Sequence, residues 1–171
     1  MSSLIVAVGG GLAVILLLGL SAFFSSSEIA VFSLQKDWIA QQAATGDRRA
    51  QVLQELYDNP HRLLVTLLVG NNIVNIAISS IITVLIASSL SPGPAVVATT
   101  VVTSVLILIF GEIVPKAFGL GNAQAWALTV ASPVRIVERV LSPLITLFDG
   151  IAGRITALIT GETGIEKPYL E

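Results

Sequence analysis

Apolar and polar positions divide this chain into blocks of two kinds: runs long enough to cross a bilayer, and shorter charged stretches between and after them. The first run covers residues 4–34, apolar through Phe24, with Glu28 as its first charged side chain. It outruns the roughly 20 residues that cross a hydrocarbon core. A secretory signal peptide would need a basic leading region and a cleavage site, yet no Lys or Arg precedes Lys36. The run therefore reads as a retained span. Its Gly9, Gly10, Gly11 and Gly19, followed by Ser21, Ala22 and the serines at 25–27, form a small-residue surface suited to close helix packing. Residues 36–61 are polar, and Asp47 can cap a short interfacial helix over residues 47–59. That helix would bury Val52, Leu53 and Leu56 and stop before Pro60. A second span follows at 63–90, then the turn Ser91-Pro92-Gly93-Pro94, then a third span at 94–119.

The third span ends differently from the others. No charged residue occurs between Leu63 and Gly111, after which Glu112 and Lys116 arrive four apart with Pro115 between them. Proline lacks an N–H and presses on the carbonyl four residues back, here that of Gly111. Free backbone in hydrocarbon is tolerated only where it packs on protein or lines a cavity. A helix broken at Pro115 beside a carboxylate is thus a candidate cation site. The simpler reading is a helix ending at the interface with both charges wet. An apolar continuation runs through Trp126 to Ala131. Residues 133–160 are amphipathic: Arg135, Glu138, Arg139, Ser142, Thr146, Asp149 and Arg154 recur at steps of three or four, opposite Val137, Leu141, Leu144, Phe148, Ile151 and Ile155. Such a helix lies in the interface or wraps the bundle. Residues 161–171 form a polar tail that reads as a lead into a further, soluble part.

Composition changes the picture mainly by exclusion. The chain is 54% hydrophobic and 12% charged, with a mean hydropathy of +0.87, against roughly 25% charged for an average soluble domain. The fold class is therefore an all-α membrane protein of three transmembrane helices with juxtamembrane amphipathic helices. A net charge of −2 and the absence of a basic patch speak against nucleic acid. With no cysteine, one histidine and one methionine, thiolate chemistry is excluded and any metal must be met by oxygen, which selects hard cations. The basic residues set the orientation. Lys36, Arg48, Arg49 and Arg62 separate spans one and two, and Lys116, Arg135, Arg139, Arg154 and Lys167 follow span three. The positive-inside rule puts the N-terminus outside and the C-terminus in the cytoplasm.

Each span carries one polar cluster. Ser21, Ser25 and Glu28 share a face of span one; Asn71 and Asn75 share a face of span two; Glu112 and the Gly111 carbonyl sit on span three. Asn71 and Asn75 lie roughly 14–20 Å from the inner start of span two at 1.5 Å per residue. Ser21 and Ser25 lie at a similar depth, and Glu112 somewhat nearer the inside. Each cluster has a plainer alternative: serines bond back to their own helix, asparagines hold helices together, and Glu28 reaches the interface or pairs with Lys116. The common depth favours a ligand role for Ser21, Ser25, Asn71, Asn75, Gly111 and Glu112, and not for Glu28. Magnesium, which takes near-octahedral oxygen ligands and retains waters, suits one carboxylate among neutral oxygens.

With these residues in place, the chain resembles the transmembrane domain of the CNNM/CorC family of magnesium transporters. The resemblance rests on Leu20-Ser21-Ala22-Phe23-Phe24-Ser25-Ser26-Ser27-Glu28, Gly70-Asn71-Asn72-Ile73-Val74-Asn75 and Gly111-Glu112-Ile113-Val114-Pro115-Lys116, whose order covers essentially the whole chain. It implies a homodimer of three-span subunits in the lipid bilayer of a cell membrane, the inner membrane in bacteria. Cytosolic CBS domains that bind ATP would follow. It also implies magnesium export driven in several members by sodium entry. The family's serine pair falls on Ser21 and Ser25, its asparagines on Asn71 and Asn75, and its acidic residue on Glu112. No phosphate-binding Gly-Lys-Ser/Thr motif is present, and no nucleophile–base pair supports an intramembrane hydrolase. The expected function is a magnesium transporter that is not an enzyme; the alternative is a magnesium-sensing scaffold that regulates partners without transport.

Overall fold

The computed structural model describes residues 2–88 and 90–160; the polar tail at 161–171 lies outside the described residues. Seven α-helices and one π segment follow in order: α1 (Ser2–Phe32), α2 (Lys36–Ala44), α3 (Arg48–Tyr57), α4 (Pro60–Ala87), α5 (Pro92–Leu106), the π segment (Ile107–Ile113), α6 (Val114–Gly121) and α7 (Ala123–Thr160). Among the described residues, three helical stretches are long and apolar enough to cross a membrane: Leu4–Phe32, Pro60–Ala87 and Pro92–Gly121. The protein is thus an all-helical, multi-pass membrane domain. α1 packs against α4, the π segment, α6 and α7, and is the element the others share.

Local sequence explains where the helices start and stop. Asp47 caps α3 by accepting from the Arg49 backbone N–H at 2.9 Å, and Arg49 Nη2 closes on the same carboxylate at 3.1 Å. This hydrogen-bonded pairing lowers the Asp47 pKa. Gly46, with φ of +88°, makes the turn out of α2 that a residue with a Cβ would resist. Pro60 occupies the first turn of α4, where its missing N–H costs nothing, and Asn59 caps that helix through Arg62 N at 3.2 Å. Sequence reading placed one interfacial helix before span two. The structure has two, because the polar stretch 36–44 still buries Ile39 and Ala43.

The buried apolar core is concentrated at the basic end of the bundle. Val31 and Leu34 of the first span meet Leu53 and Leu56 of α3, Leu63 and Leu67 of α4, and Val130, Ala131 and Val134 of α7. The N-terminal half of α1 is mostly exposed: Leu4, Ile5, Leu12, Ile15 and Leu16 are each more than half exposed, as lipid-facing side chains are, while Val14 is buried. The small-residue surface of α1 accordingly splits. Its serines are buried against neighbouring helices and Gly10 lies under Leu85, whereas a Cβ on Gly9, Gly11 or Gly19 would meet nothing within 4 Å.

The last helix departs most from expectation. α7 starts at Ala123, capped by a break at Asn122, and runs 38 residues through both Pro133 and Pro143. The stretch 123–131 therefore belongs to α7 and not to a prolonged third span. Its small residues Ala127 and Ala131 are wholly buried in the core, and that packing holds the helix through Pro133. Arg135, Glu138 and Asp149 of the charged stripe are half-buried, whereas Arg139 and Arg154 are exposed. Glu138 accepts from Arg62 Nε at 2.6 Å, Ser142 Oγ takes Arg62 Nη2 at 2.7 Å, and Arg135 reaches Glu55 at 2.9 Å. Asp149 meets His61 at 3.2 Å. Arg135, Glu138 and Asp149 have partners on α3 and α4, and Ile136, Val140 and Leu147 face outward.

Candidate cation site

At the centre of the bundle Ser21 is completely buried on α1, facing α4. Its hydroxyl lies 3.1 Å from Asn71 Oδ1 and 2.8 Å from Asn75 Oδ1. A serine hydroxyl carries one proton, so it can donate to only one of these two carbonyl oxygens at a time. Turning either amide over would let its NH2 group donate to Ser21 and satisfy the cluster internally. The orientation found instead aims two amide oxygens at a third oxygen. Where they meet, three oxygens share one hydroxyl proton, and a cation or an N–H donor would complete the arrangement.

Ser25, one helical turn along the same face, is also fully buried, and its Oγ has no hydrogen-bond partner among the described residues. A buried unsatisfied hydroxyl costs about 1–3 kcal/mol. The contrast with its neighbours is informative. Ser26 and Ser27 return their protons to the carbonyls of Ala22 and Phe23 at 2.7 and 2.6 Å, the usual resolution for hydroxyls in apolar helices. Ser26 Oγ also accepts from the Trp126 indole N–H at 3.0 Å, tying α7 to α1. Sequence reading missed this partner, for which the only signal was a tryptophan at the head of an apolar run.

The third span reaches the cluster through Gly111. A Cβ built on Gly111 would stand 2.7 Å from Ser21 Oγ, so glycine here leaves the Ser21 hydroxyl free to hold its position against Asn71 and Asn75. Sequence reading placed Gly111 here for its carbonyl; the structure shows in addition that its missing side chain makes room for Ser21. The irregularity expected at Pro115 lies ahead of it: the helix widens into the π segment over Ile107–Ile113, and the Val114 N–H reaches back to Ile109 O. π turns absorb an extra residue and frequently occur at functional sites. Glu112 follows Gly111, half-buried, and enters no hydrogen bond or ion pair among the described residues. Ser21, Asn71, Asn75 and Gly111 are thus brought together; Ser25 flanks them, and Glu112 is adjacent in the chain without touching them.

Glu28 has a partner. Its carboxylate sits 3.7 Å from Lys116 Nζ, joining α1 to α6 with both side chains a third or more exposed. One turn further, α6 passes so close to α1 that a Cβ on Gly119 would stand 2.4 Å from the Ser26 carbonyl oxygen. A separate charged cavity of about 450 Å³ lies among Glu55, Arg62, Arg135 and Glu138, where the ion pairs already described bind α7 to the bundle.

These features define a three-span membrane domain with a part-buried oxygen cluster on the first two spans, closely approached by Gly111 of the third. Residues 12–171 match the Cyclin M transmembrane N-terminal domain, and the chain belongs to this CNNM family. Among curated proteins it is similar to a DUF21 domain-containing chloroplast protein of Arabidopsis thaliana, 33% identical over 94% of this chain and 24% of that protein. It is similar to the inner membrane protein YfjD of Escherichia coli, 28% identical over 85% of this chain and 34% of that protein. It is also similar to the polyamine export protein of Salmonella typhimurium, 30% identical over 83% of this chain and 34% of that protein. The chain spans well under half the length of these relatives.

Proposed function

We propose that this domain carries magnesium out of the cytoplasm, with the ion held among Ser21, Ser25, Asn71, Asn75, the Gly111 carbonyl and Glu112. The observation that supports this reading is the convergence of two amide oxygens on the Ser21 hydroxyl, where three oxygens face one another with one hydroxyl proton among them. One nearby carboxylate among neutral oxygens holds a divalent ion loosely enough to release it. In this reading the basic end, with α2, α3 and α7, faces the cytoplasm. Two copies form the working unit in the bilayer, sodium entry drives export, and CBS domains of the whole protein regulate it.

Magnesium flux from loaded proteoliposomes of the whole protein, with and without an opposing sodium gradient, tests the proposal. Efflux that rises with the gradient and collapses in Glu112→Gln supports it. Calorimetric binding without flux would instead make the domain a magnesium-sensing scaffold.

A second reading has its own observation: relatives in Salmonella typhimurium and Escherichia coli bear the name polyamine export protein. A polyamine is a string of N–H donors, which the same acceptor-rich cluster could satisfy by hydrogen bonds. Spermidine efflux from the same proteoliposomes, undiminished by millimolar magnesium, would choose polyamine over metal.

A further inference from the structure

The arginines at the basic end of the bundle are not all used in ion pairs. Two cavities lie between α3 and α7, of about 450 and 260 Å³, and both have Glu55, Arg135 and Arg139 in their walls. Arg62 and Glu138 line the larger one, and Arg48 the smaller. Four guanidinium groups thus face two carboxylates. Arg62 is held by Glu138 at 2.6 Å and Arg135 by Glu55 at 2.9 Å. The side chains of Arg48 and Arg139 enter no hydrogen bond or ion pair among the described residues. Two positive charges are therefore left over, and both border the cavities. A cleft with an excess of one sign concentrates ions of the other.

Depth says which anion belongs there. α4 has 28 residues, about 42 Å at 1.5 Å per residue. That length matches a bilayer with its headgroups and exceeds the roughly 30 Å of its hydrocarbon core. Arg62 is the third residue of this helix, so the larger cavity sits at headgroup level. The outward face of α7 points the same way. At 3.6 residues per turn, Ile136 and Val140 lie about 100–140° round the helix from Arg135, and Arg139 about 40°, between them and the cavity side. Ile136 and Val140 are 62% and 71% exposed. An anion held by Arg139 thus has bare apolar surface beside it, which a phospholipid would cover and a soluble phosphate would not.

We infer that the paired cavities bind the phosphate of an anionic phospholipid, with Arg139 and Arg48 on its oxygens and an acyl chain along Ile136 and Val140. Assigning it to the cytoplasmic leaflet rests on the orientation proposed above; the site itself does not. Planar guanidinium groups match phosphate oxygens two at a time, and basic pockets at the ends of membrane helices suit lipid headgroups. Glu55 is the one acidic side chain that borders both cavities, and it is 60% exposed. An ion pair that open to water contributes little, so the carboxylate turns outward and cedes Arg135 to the phosphate. The bound headgroup then ties α3 to α7.

Native mass spectrometry of the whole protein in detergent, titrated with phosphatidylglycerol or phosphatidylcholine, tests the site without reference to orientation or cargo. Phosphatidylglycerol should bind at least tenfold tighter. Arg48→Gln and Arg139→Gln should each weaken it about fivefold, and Glu55→Gln should tighten it. Both arginines are exposed, so the variants should melt as wild type does. Arg49→Gln is the control: it removes the same charge from α3, but Arg49 pairs with Asp47 and lines neither cavity. Its affinity for phosphatidylglycerol should stay within twofold of wild type. Equal affinity for the two lipids, or equal losses in Arg49→Gln and Arg139→Gln, would overturn the inference, since diffuse attraction does not distinguish one arginine from another. Glycerol phosphate carries the headgroup charge without acyl chains and should not displace the lipid at millimolar concentration. Full displacement would assign the cavities to a soluble phosphate and overturn the lipid. Failure of magnesium flux would leave all of these readouts as they are.

Discussion

Gly111 and Gly119 lie two turns apart on the third span, and each allows a close approach to α1, but to different kinds of atom. Alanine at either position is therefore expected to fail in a different way. Carbon–oxygen contacts ordinarily begin near 3.3 Å. In Gly111→Ala the new Cβ would sit 2.7 Å from Ser21 Oγ, an overlap of about 0.6 Å. The hydroxyl is the end of a rotatable side chain, so it escapes to another staggered rotamer at little cost to the fold. In doing so it leaves Asn71 and Asn75, and the cluster loses its shared oxygen. In Gly119→Ala the Cβ would sit 2.4 Å from the Ser26 carbonyl oxygen, an overlap of about 0.9 Å against backbone that cannot rotate away. The helices must part, at the roughly 1–3 kcal/mol typical of overpacking. Gly111→Ala should keep its melting temperature and lose at least tenfold in magnesium affinity, about 1.4 kcal/mol. Gly119→Ala should melt several degrees lower while its folded fraction binds magnesium normally. Calorimetry and thermal melts on the two purified proteins check both halves. Wild-type affinity in Gly111→Ala, or an unshifted melt in Gly119→Ala, would refute the close approaches as the reason for these glycines.

Other outcomes follow from the same geometry. Glu112→Gln should weaken magnesium binding severely, and more than Ser21→Ala or Ser25→Ala, since it removes the charge; isothermal titration gives the ranking. Pro115→Ala should supply the missing backbone N–H and regularise the π segment, so that flux falls more than affinity; wild-type flux would mean that the π turn is not the moving part. Arg62→Met leaves Glu138 half-buried and unpaired and should detach α7, seen as faster proteolysis between residues 123 and 160; Arg62→Met with Glu138→Leu should recover part of the loss. The lowered Asp47 pKa means the cap on α3 holds above the ordinary aspartate range and is lost as pH falls through the lowered value. Amide exchange at Arg49 should therefore speed up only at strongly acidic pH.

The hydrophobic runs alone fixed the membrane class and the number of spans, because covering about 30 Å of hydrocarbon demands uninterrupted apolar residues whatever they pack against. Local capping was equally readable: Asp47, Asn59 and Pro60 act on their own backbone within a few residues. The Asn71 and Asn75 positions of the cluster were legible too, since an amide in a long apolar run stands out without any partner being known. Packing decided the rest. Arg135, Glu138 and Asp149 of α7 are half-buried because Glu55, Arg62 and His61, distant in sequence, come to meet them. Pro133 passes unnoticed in a helix held by Ala127 and Ala131. Gly111 and Gly119 look alike in the sequence, and only the approach of α1 shows that one makes room for a hydroxyl and the other for a carbonyl. Thr103 is one threonine among many along the chain until the fold leaves its hydroxyl without a partner. A one-dimensional pattern records what each residue prefers, and whether the preference is met depends on atoms brought from elsewhere in the chain.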